Sequence, residues 1–229
     1  MSIPLSLTSE RSCPYLPGRV SSDIFIPQRI NIKTYGSLLA GGFRRSGPVF
    51  YKPHCPDCGE CVPVRIPVDN FRPSRSQKRA AVKNSDAAMT VSNARFDEKH
   101  YRLFRKYQNS RHPDGSMRRM SREDYVDMFH CKGIPTFFYE SRVNGALASV
   151  AVTDVLPDAL SAVYTFYDPD RLINSPGVFA VLHQINEAKR LGLKYLYLGF
   201  WIKDSETMAY KSTFRPFEAL IDGVWQRME

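Results

Sequence analysis

The 229-residue sequence predicts an α+β fold, with a smaller cysteine-bearing N-terminal domain ahead of a larger domain built on a mixed sheet. Three observations carry this. Apolar periodicity changes from helical to alternating near residue 136, so helices precede an antiparallel meander. A well-capped helix and further strands follow the meander. The first 70 residues are instead rich in Pro, Gly, Ser and Arg, with short apolar runs and clustered cysteines. The boundary falls between residues 1–90 and 91–229.

In chain order, "SLLAGGFRRSGPVFYKP" reads as a short helix, a Gly-Gly stop, then a strand with Arg44 and Arg45 just before it. "VRIPVDNF" (64–71) is a strand interrupted by Pro67, which places it at a sheet edge. In "FRPSRSQKRAAVKNSD", a helix over 74–84 aligns Arg72, Arg75, Arg79 and Lys83 in one stripe, with Lys78 beside it. No acidic residue interleaves from Arg72 to Lys83. Such a stripe repels itself until an anion arrives, which points to phosphate contact. "DEKHYRLFRKYQNSRH" is a helix with Tyr101, Phe104 and Tyr107 on its core face. "SREDYVDMFHCKG" is another, opened by the capping pair Ser121 and Asp124 and closed at Gly133, with Cys131 a small core residue.

"TFFYESRVNGALASVAVTDVLPDALSAVYTFYD" is strand, Asn-Gly hairpin, strand, Pro-Asp turn, strand. "SPGVFAVLHQINEAKRLGLKYLYLGF" is a helix and a strand, with Ser175 as N-cap, Pro176 first in the helix and Gly192 its stop. Its apolar face comprises Val178, Phe179, Leu182, Ile185 and Leu191. "DSETMAYKSTF" is a short helix and "EALIDGVWQRM" a closing strand.

The bulk numbers narrow the function classes. A net charge of +9, from 32 Lys and Arg against 23 Asp and Glu, suits a polyanion such as nucleic acid or an anionic membrane surface. The N-terminus lacks the pattern of a signal peptide, and no stretch approaches the ~20 apolar residues of a membrane span. A cytoplasmic location is expected, where thiols stay reduced. Cys55, Cys58 and Cys61 then read as C-x2-C-x2-C in a turn made by Pro56 and Gly59, a spacing that suits metal ligation. A fourth ligand comes from Cys13 or His54, for a structural zinc or an iron–sulfur cluster.

The element order of the second half resembles the acetyltransferase-like (GNAT-type) fold, in which an acyl donor lies where central strands splay and the capped helix begins. Coenzyme A users meet the pyrophosphate there with a Gly-rich loop. The matching stretch, "DRLINSPGVFA", has one glycine and a proline, so no coenzyme A is expected and another acyl carrier is implied: aminoacyl-tRNA. "GFRRSGPVFYKPHCPDCGECVPVRIPV", "SRSQKR", "LSAVYTFYDP" and "YLGFWI..S..MAYKSTFRP" together resemble the arginyl-tRNA–protein transferase superfamily. The resemblance is closest to its bacterial branch, the aspartate/glutamate leucyltransferases, and runs from about Cys13 to Trp225.

That resemblance implies transfer of an amino acid, Leu in the bacterial branch, from its tRNA to the N-terminal amine of proteins beginning with Asp or Glu, creating a degradation signal. No cofactor is needed for the chemistry. Arginyl transfer, or a zinc-bearing RNA-binding module without transferase activity, are the alternatives. Some eukaryotic relatives hold a metal or cluster through N-terminal cysteines; here Cys13, Cys55, Cys58 and Cys61 are the counterparts. Arginine forks bind carboxylates in two-point fashion, so Arg44, Arg45, Arg75 and Lys211, with Gln77 of the "SRSQKR" motif, are the substrate-binding candidates. Phe166, Phe200 and Trp201 are candidates for the leucyl slot. Tyr164, Tyr167 and Asp168 are the candidate catalytic groups, and Lys78, Arg79 and Lys83 the candidate tRNA contacts.

Overall fold

The computed structural model describes residues 4–229. The N-terminal part is assembled from short strands: β1 (Ser6–Leu7), β2 (Arg11–Ser12), β3 (Val20–Ser21) and β4 (Asp23–Ile26). Helix α1 (Ile32–Ala40) follows, started by Asn31, whose side chain accepts the Thr34 N–H. Strands β5 (Arg44–Ser46) and β6 (Val49–Pro53) come next, so Arg44 and Arg45 lie within a strand rather than ahead of one. β1, β4, β6 and β5 form a four-stranded sheet in that order, and β2 pairs with β3.

Strand β7 (Val62–Pro67) and helix α2 (Arg75–Lys83) complete the first stretch of chain. Ser74 and Gln77 close a reciprocal capping box on α2. Then come β8 (Ala88–Asn93), α3 (Glu98–Arg111), α4 (Arg122–Phe129), the meander β9 (Thr136–Val143), β10 (Ala146–Val155) and β11 (Ala159–Tyr167), helix α5 (Pro176–Arg190), β12 (Tyr195–Trp201) and the hairpin β13 (Phe217–Ile221) and β14 (Val224–Met228). Asn144-Gly145 and Asp222-Gly223 make the two tight turns with positive φ at both residues, as hairpins of this kind require.

The eight-stranded sheet runs β14-β13-β7-β12-β11-β10-β9-β8, antiparallel throughout except for the parallel β11–β12 pair. Two of its strands, β7 and β8, come from the first 93 residues. β7 is therefore interior and not the edge strand that Pro67 suggested. Its prolines are tolerated near the two ends of the strand, where Pro63 faces Phe200 and Pro67 faces Tyr195. Three smaller differences from the sequence expectation lie at helix ends. α4 stops at Phe129, four residues before the glycine read as its end. Ser175 sits in the left-handed region and makes no side-chain cap bond. Leu191 lies past the end of α5 and is exposed.

One core lies between α5 and the sheet, centred on Ile66, Leu160, Ile185, Leu196 and Phe214. A second, almost wholly aromatic, packs α3 and α4 on the meander through Phe104, Tyr125, Phe129, Phe138 and Phe166. A third, around Tyr35, Leu39 and Phe50, joins the N-terminal part to the sheet. No described helix is long and apolar enough to cross a membrane.

Candidate active site at the strand splay

β11 and β12 pair only over Ala159–Ser161 and Tyr195–Tyr197. Beyond that they part, leaving the carbonyls of Ala162 on one side and Phe200 on the other without strand partners across the gap. Two cations fill it. Arg44 donates to Ser161 Oγ (3.1 Å) and to the Ala162 carbonyl (2.5 Å). Lys211, on the 3-10 turn Ala209–Thr213, donates from Nζ to the Phe200 carbonyl (2.6 Å). Both side chains are buried. Arg44 is bonded only to neutral oxygens, and neither cation has an ion-pairing carboxylate among the described residues. Burial and the nearby Arg44 charge depress the Lys211 ammonium to a pKa of about 7. Two unpaired buried cations side by side are costly, and an incoming carboxylate relieves both.

Arg45 is the contrast. Its guanidinium lands not on Ser161 but on Asp154, the cross-strand neighbour of Ser161. It holds both oxygens of Asp154 (2.6 and 2.7 Å) and bonds the Phe129 carbonyl and Thr136. Both partners of this pair are 0% exposed. Burial opposes the Arg45 charge, and the bonds to Asp154 more than offset it. Arg45 is a framework ion pair and is removed from the substrate-reading set.

Gly199 is what admits Arg44. A Cβ there would stand 3.0 Å from Arg44 Nε and 3.2 Å from Cζ, and φ is +85°. Gly199→Ala is expected to push Arg44 out of the gap and to strain the backbone. Stability should fall by ~1 kcal/mol or more, and KM for an Asp-initiated acceptor peptide should rise more steeply than kcat falls. Equal effects on both parameters would detach Gly199 from substrate reading.

The remaining sequence candidates divide. Gln77 is buried, completes the α2 cap and donates to the Thr213 carbonyl (3.1 Å), tying α2 to the turn that carries Lys211. Arg75, Lys78 and Arg79 are exposed on α2. Lys83 is exposed too, but its Nζ bonds the Ile173 carbonyl (3.1 Å) and so fastens α2 to the loop before α5. Tyr164 accepts from Gln108 (2.7 Å) inside the aromatic core; burial raises its pKa, so the phenol stays protonated and is a poor base. Tyr167 packs against Gly177 at the start of α5 and against Tyr107. Asp168 caps the turn Pro169–Asn174 and is bonded to Lys106 (2.6 Å), a structural use of its carboxylate. Phe166 is sealed in the aromatic core and half-buried Trp201 packs edge-on against Phe217, which leaves Phe200, itself buried, as the candidate that borders an internal space.

That space is a cavity of about 490 Å³ between the N-terminal strands and the end of β12. Cys13, Cys55, Cys58 and Cys61 all line it, and His54 does not. Cys55 and Cys58 face each other across the Pro56-Asp57 turn, and burial together with the other three thiols pushes Cys61 up to about 12. Thiols gathered in one cavity are the donor set that thiophilic ions take. Among the described residues no three His, Cys, Asp or Glu side chains stand at metal-binding spacing. The depressed Lys211 and the cavity had no sequence signal, because each also depends on residues distant in the chain: Arg44 beside Lys211, and Phe200 and Ile202 against the N-terminal strands.

Comparison with known proteins bears on this arrangement. Residues 11–79 match the family model "Arginine-tRNA-protein transferase, N terminus" and residues 99–221 match "Arginine-tRNA-protein transferase, C terminus". An aspartate/glutamate leucyltransferase of Pseudomonas fluorescens is 45% identical over 221 residues, covering 95% of this chain and 94% of the relative. Proteins of the same description from Marinobacter nauticus and Thiobacillus denitrificans are each 44% identical, over 96% and 99% of this chain and 94% and 95% of theirs.

Proposed function

The chain belongs to the arginine-tRNA-protein transferase family, among its aspartate/glutamate leucyltransferases, and from that premise we propose that it moves a leucyl group from Leu-tRNA to the N-terminal amine of proteins beginning with Asp or Glu. The observation that carries the acceptor side of this reading is the Arg44–Lys211 pair: two buried cations, unpaired by any described carboxylate, in the gap between β11 and β12.

An ester on tRNA is already an activated acyl group. The acceptor α-amine, with a pKa of about 7.7–8.0, is partly neutral at pH 7. It attacks the leucyl carbonyl carbon, the new C–N bond forms, and the bond to the ribose oxygen breaks. The amine proton ends on that ribose oxygen. What the protein supplies is mainly placement. Arg44 and Lys211 fix the acidic side chain of the acceptor, and Gln77 holds the Lys211 turn against α2. An Asn-initiated acceptor would leave both cations unpaired, so discrimination against it is built into the gap.

The decisive assay offers labelled Leu-tRNA and Arg-tRNA separately to peptides starting with Asp, Glu, Asn and Ala. Label from Leu-tRNA on the Asp and Glu peptides alone is expected. Label from Arg-tRNA would move the donor assignment to arginine, and no label from either would end the transferase reading.

We read the exposed α2 cations as tRNA phosphate contacts, a reading supported by the link from α2 to the Lys211 turn through Gln77. Replacing Lys78 and Arg79 by Gln should weaken tRNA binding and flatten its log–log salt dependence by ~0.7–0.9 per lost contact. An unchanged slope would return these residues to the solvated surface. For the cysteines, we assign Cys13, Cys55, Cys58 and Cys61 to a structural zinc or iron–sulfur site, whose role is to fix the N-terminal strands over the cavity. Elemental analysis of anaerobically purified protein should find about one zinc or several irons per chain. Metal-free protein with the same melting temperature and activity would refute it.

A further inference from the structure

We propose, building on the leucyl-transfer reading, that the cavity beneath the N-terminal strands is the pocket for the donor's leucyl group, its apolar walls holding the side chain and Asp23 holding the leucyl α-ammonium. The cavity, about 490 Å³, has the size of a small-ligand site. Tyr15, Leu16, Phe25, Val49, Tyr51 and Phe200, from three strands and the loop between β2 and β3, give it apolar walls beside the four cysteines. The charged side chains among its described lining are Arg11 and Asp23, which pair with each other. Their exposures differ: the Asp23 side chain is 14% exposed, while Arg11, which also bonds Thr8 Oγ1, is 48% exposed. The Asp23 backbone is anchored by its N–H to Thr8 Oγ1 (2.9 Å). The cavity therefore offers one positioned carboxylate, whose paired cation is the more exposed of the two.

The chemistry of the two substrates decides the occupant. An esterified leucyl group brings an ammonium and a branched apolar chain, with no free carboxylate. The first residue of the acceptor brings a side-chain carboxylate, which wants cations without partners, and those lie outside the cavity at Arg44 and Lys211. The two sites meet at one residue. The Phe200 ring lines the cavity and its carbonyl holds Lys211, while Tyr51, on the cavity wall, is the cross-strand neighbour of Arg44. A leucyl group in the cavity and a carboxylate at the cations thus bring ester and amine together. An arginyl group would place a second cation against apolar walls whose one carboxylate is already engaged, so selection of leucine over arginine resides here.

The test uses a non-transferable probe, 3′-leucylamino-3′-deoxyadenosine, in which an amide replaces the ester, and its N-acetyl, alanyl and arginyl counterparts. Binding is measured by calorimetry, with melting curves to show that each variant is folded. Wild-type protein should prefer the leucyl probe at least tenfold over the N-acetyl and arginyl forms. Asp23→Asn should erase the difference between leucyl and N-acetyl. Val49→Trp, at a wall position open enough to accept it, should exclude the leucyl probe and retain the alanyl one. Arg11→Ala should bind the leucyl probe as well as or better than wild type, because the competing cation is gone; weaker binding would show that the cavity reads an anion and overturn the proposal. So would failure of the wild type to bind the leucyl probe at millimolar concentration, or variants whose only defect is a raised KM for Asp peptides. If leucine transfer to Asp and Glu peptides proceeds while these outcomes fail, the pocket assignment falls alone. If no transfer occurs, the functional reading falls first.

Discussion

Arg45→Met is expected to cripple the fold, and Arg44→Met, one residue away, to leave the fold intact and abolish activity. Arg45 and Asp154 are both fully buried and satisfy each other. Removing the arginine strands a carboxylate in the interior, which costs about 3–5 kcal/mol. For a chain of this size that lowers Tm by roughly 6–20 °C. Changing both residues together, Arg45→Met with Asp154→Leu, should recover most of the loss, since no buried charge is then left alone. Arg44→Met removes a buried cation that has no ion-pair partner, so stability should hold or rise. Transfer to Asp and Glu peptides should fall by at least ~30-fold, the equivalent of losing one buried charged contact. Thermal melts and peptide-transfer rates on the two variants decide the matter. If Arg44→Met melts as early as Arg45→Met, or keeps its rate, the division of roles drawn from their geometry is wrong.

Lys211→Met should be the second large effect, again with activity and stability moving in opposite directions. The folded-state pKa of about 7 lies below the ordinary 10.5. Below pH 7 the ammonium is protonated in both folded and unfolded chains, and the folded chain carries the full cost of burying it. Between pH 7 and 10.5 the unfolded chain holds a proton that the folded one lacks, so this group makes stability rise with pH. The methionine variant, nearly the same shape, has no such cost. Its stability advantage over wild type should be largest at pH 6 and shrink steadily towards pH 10, while transfer is lost at every pH. A melting-temperature difference that does not vary between pH 6 and 9 would show that Lys211 is not held as a depressed ammonium. In the wild type, the same titration predicts that KM for Asp peptides increases above pH 7, as the cation that meets the acceptor carboxylate is lost.

Much of the fold was legible because local signals agreed with the final structure. The Asn144-Gly145 turn, the capping pair at Ser121 and Asp124, and the period-two runs of the meander specify their elements within a few residues. What could not be read was long-range. Pro67 weighs against an interior strand on local grounds, and only its facing Tyr195 shows that the missing N–H falls at the end of the ladder. Arg44 and Arg45 are indistinguishable as a dipeptide. Asp154, Ser161 and Gly199, each more than a hundred residues away, decide which one is ion-paired framework and which one is left without a carboxylate. The motifs identified the family and nominated the candidate residues. Contacts then divided that set: Phe166 is sealed in the aromatic core, Trp201 packs on Phe217 and Asp168 pairs with Lys106, while Arg44 and Lys211 lie in the strand gap beside Phe200.

The place of β7 in the sheet governs how the chain is made as well as how it stands. β7 leaves the ribosome early, and its two neighbours, β12 and β13, begin at Tyr195 and Phe217. At ~5–20 residues per second, it waits on the order of ten seconds with both edges unpaired. A nascent strand in that condition invites pairing with another chain. Pro63 and Pro67 each remove a donor from an edge, and Arg65 adds a charge between them until Glu218 arrives to meet it at 2.7 Å. The same prolines that forfeit ladder bonds in the finished sheet therefore protect the strand during synthesis.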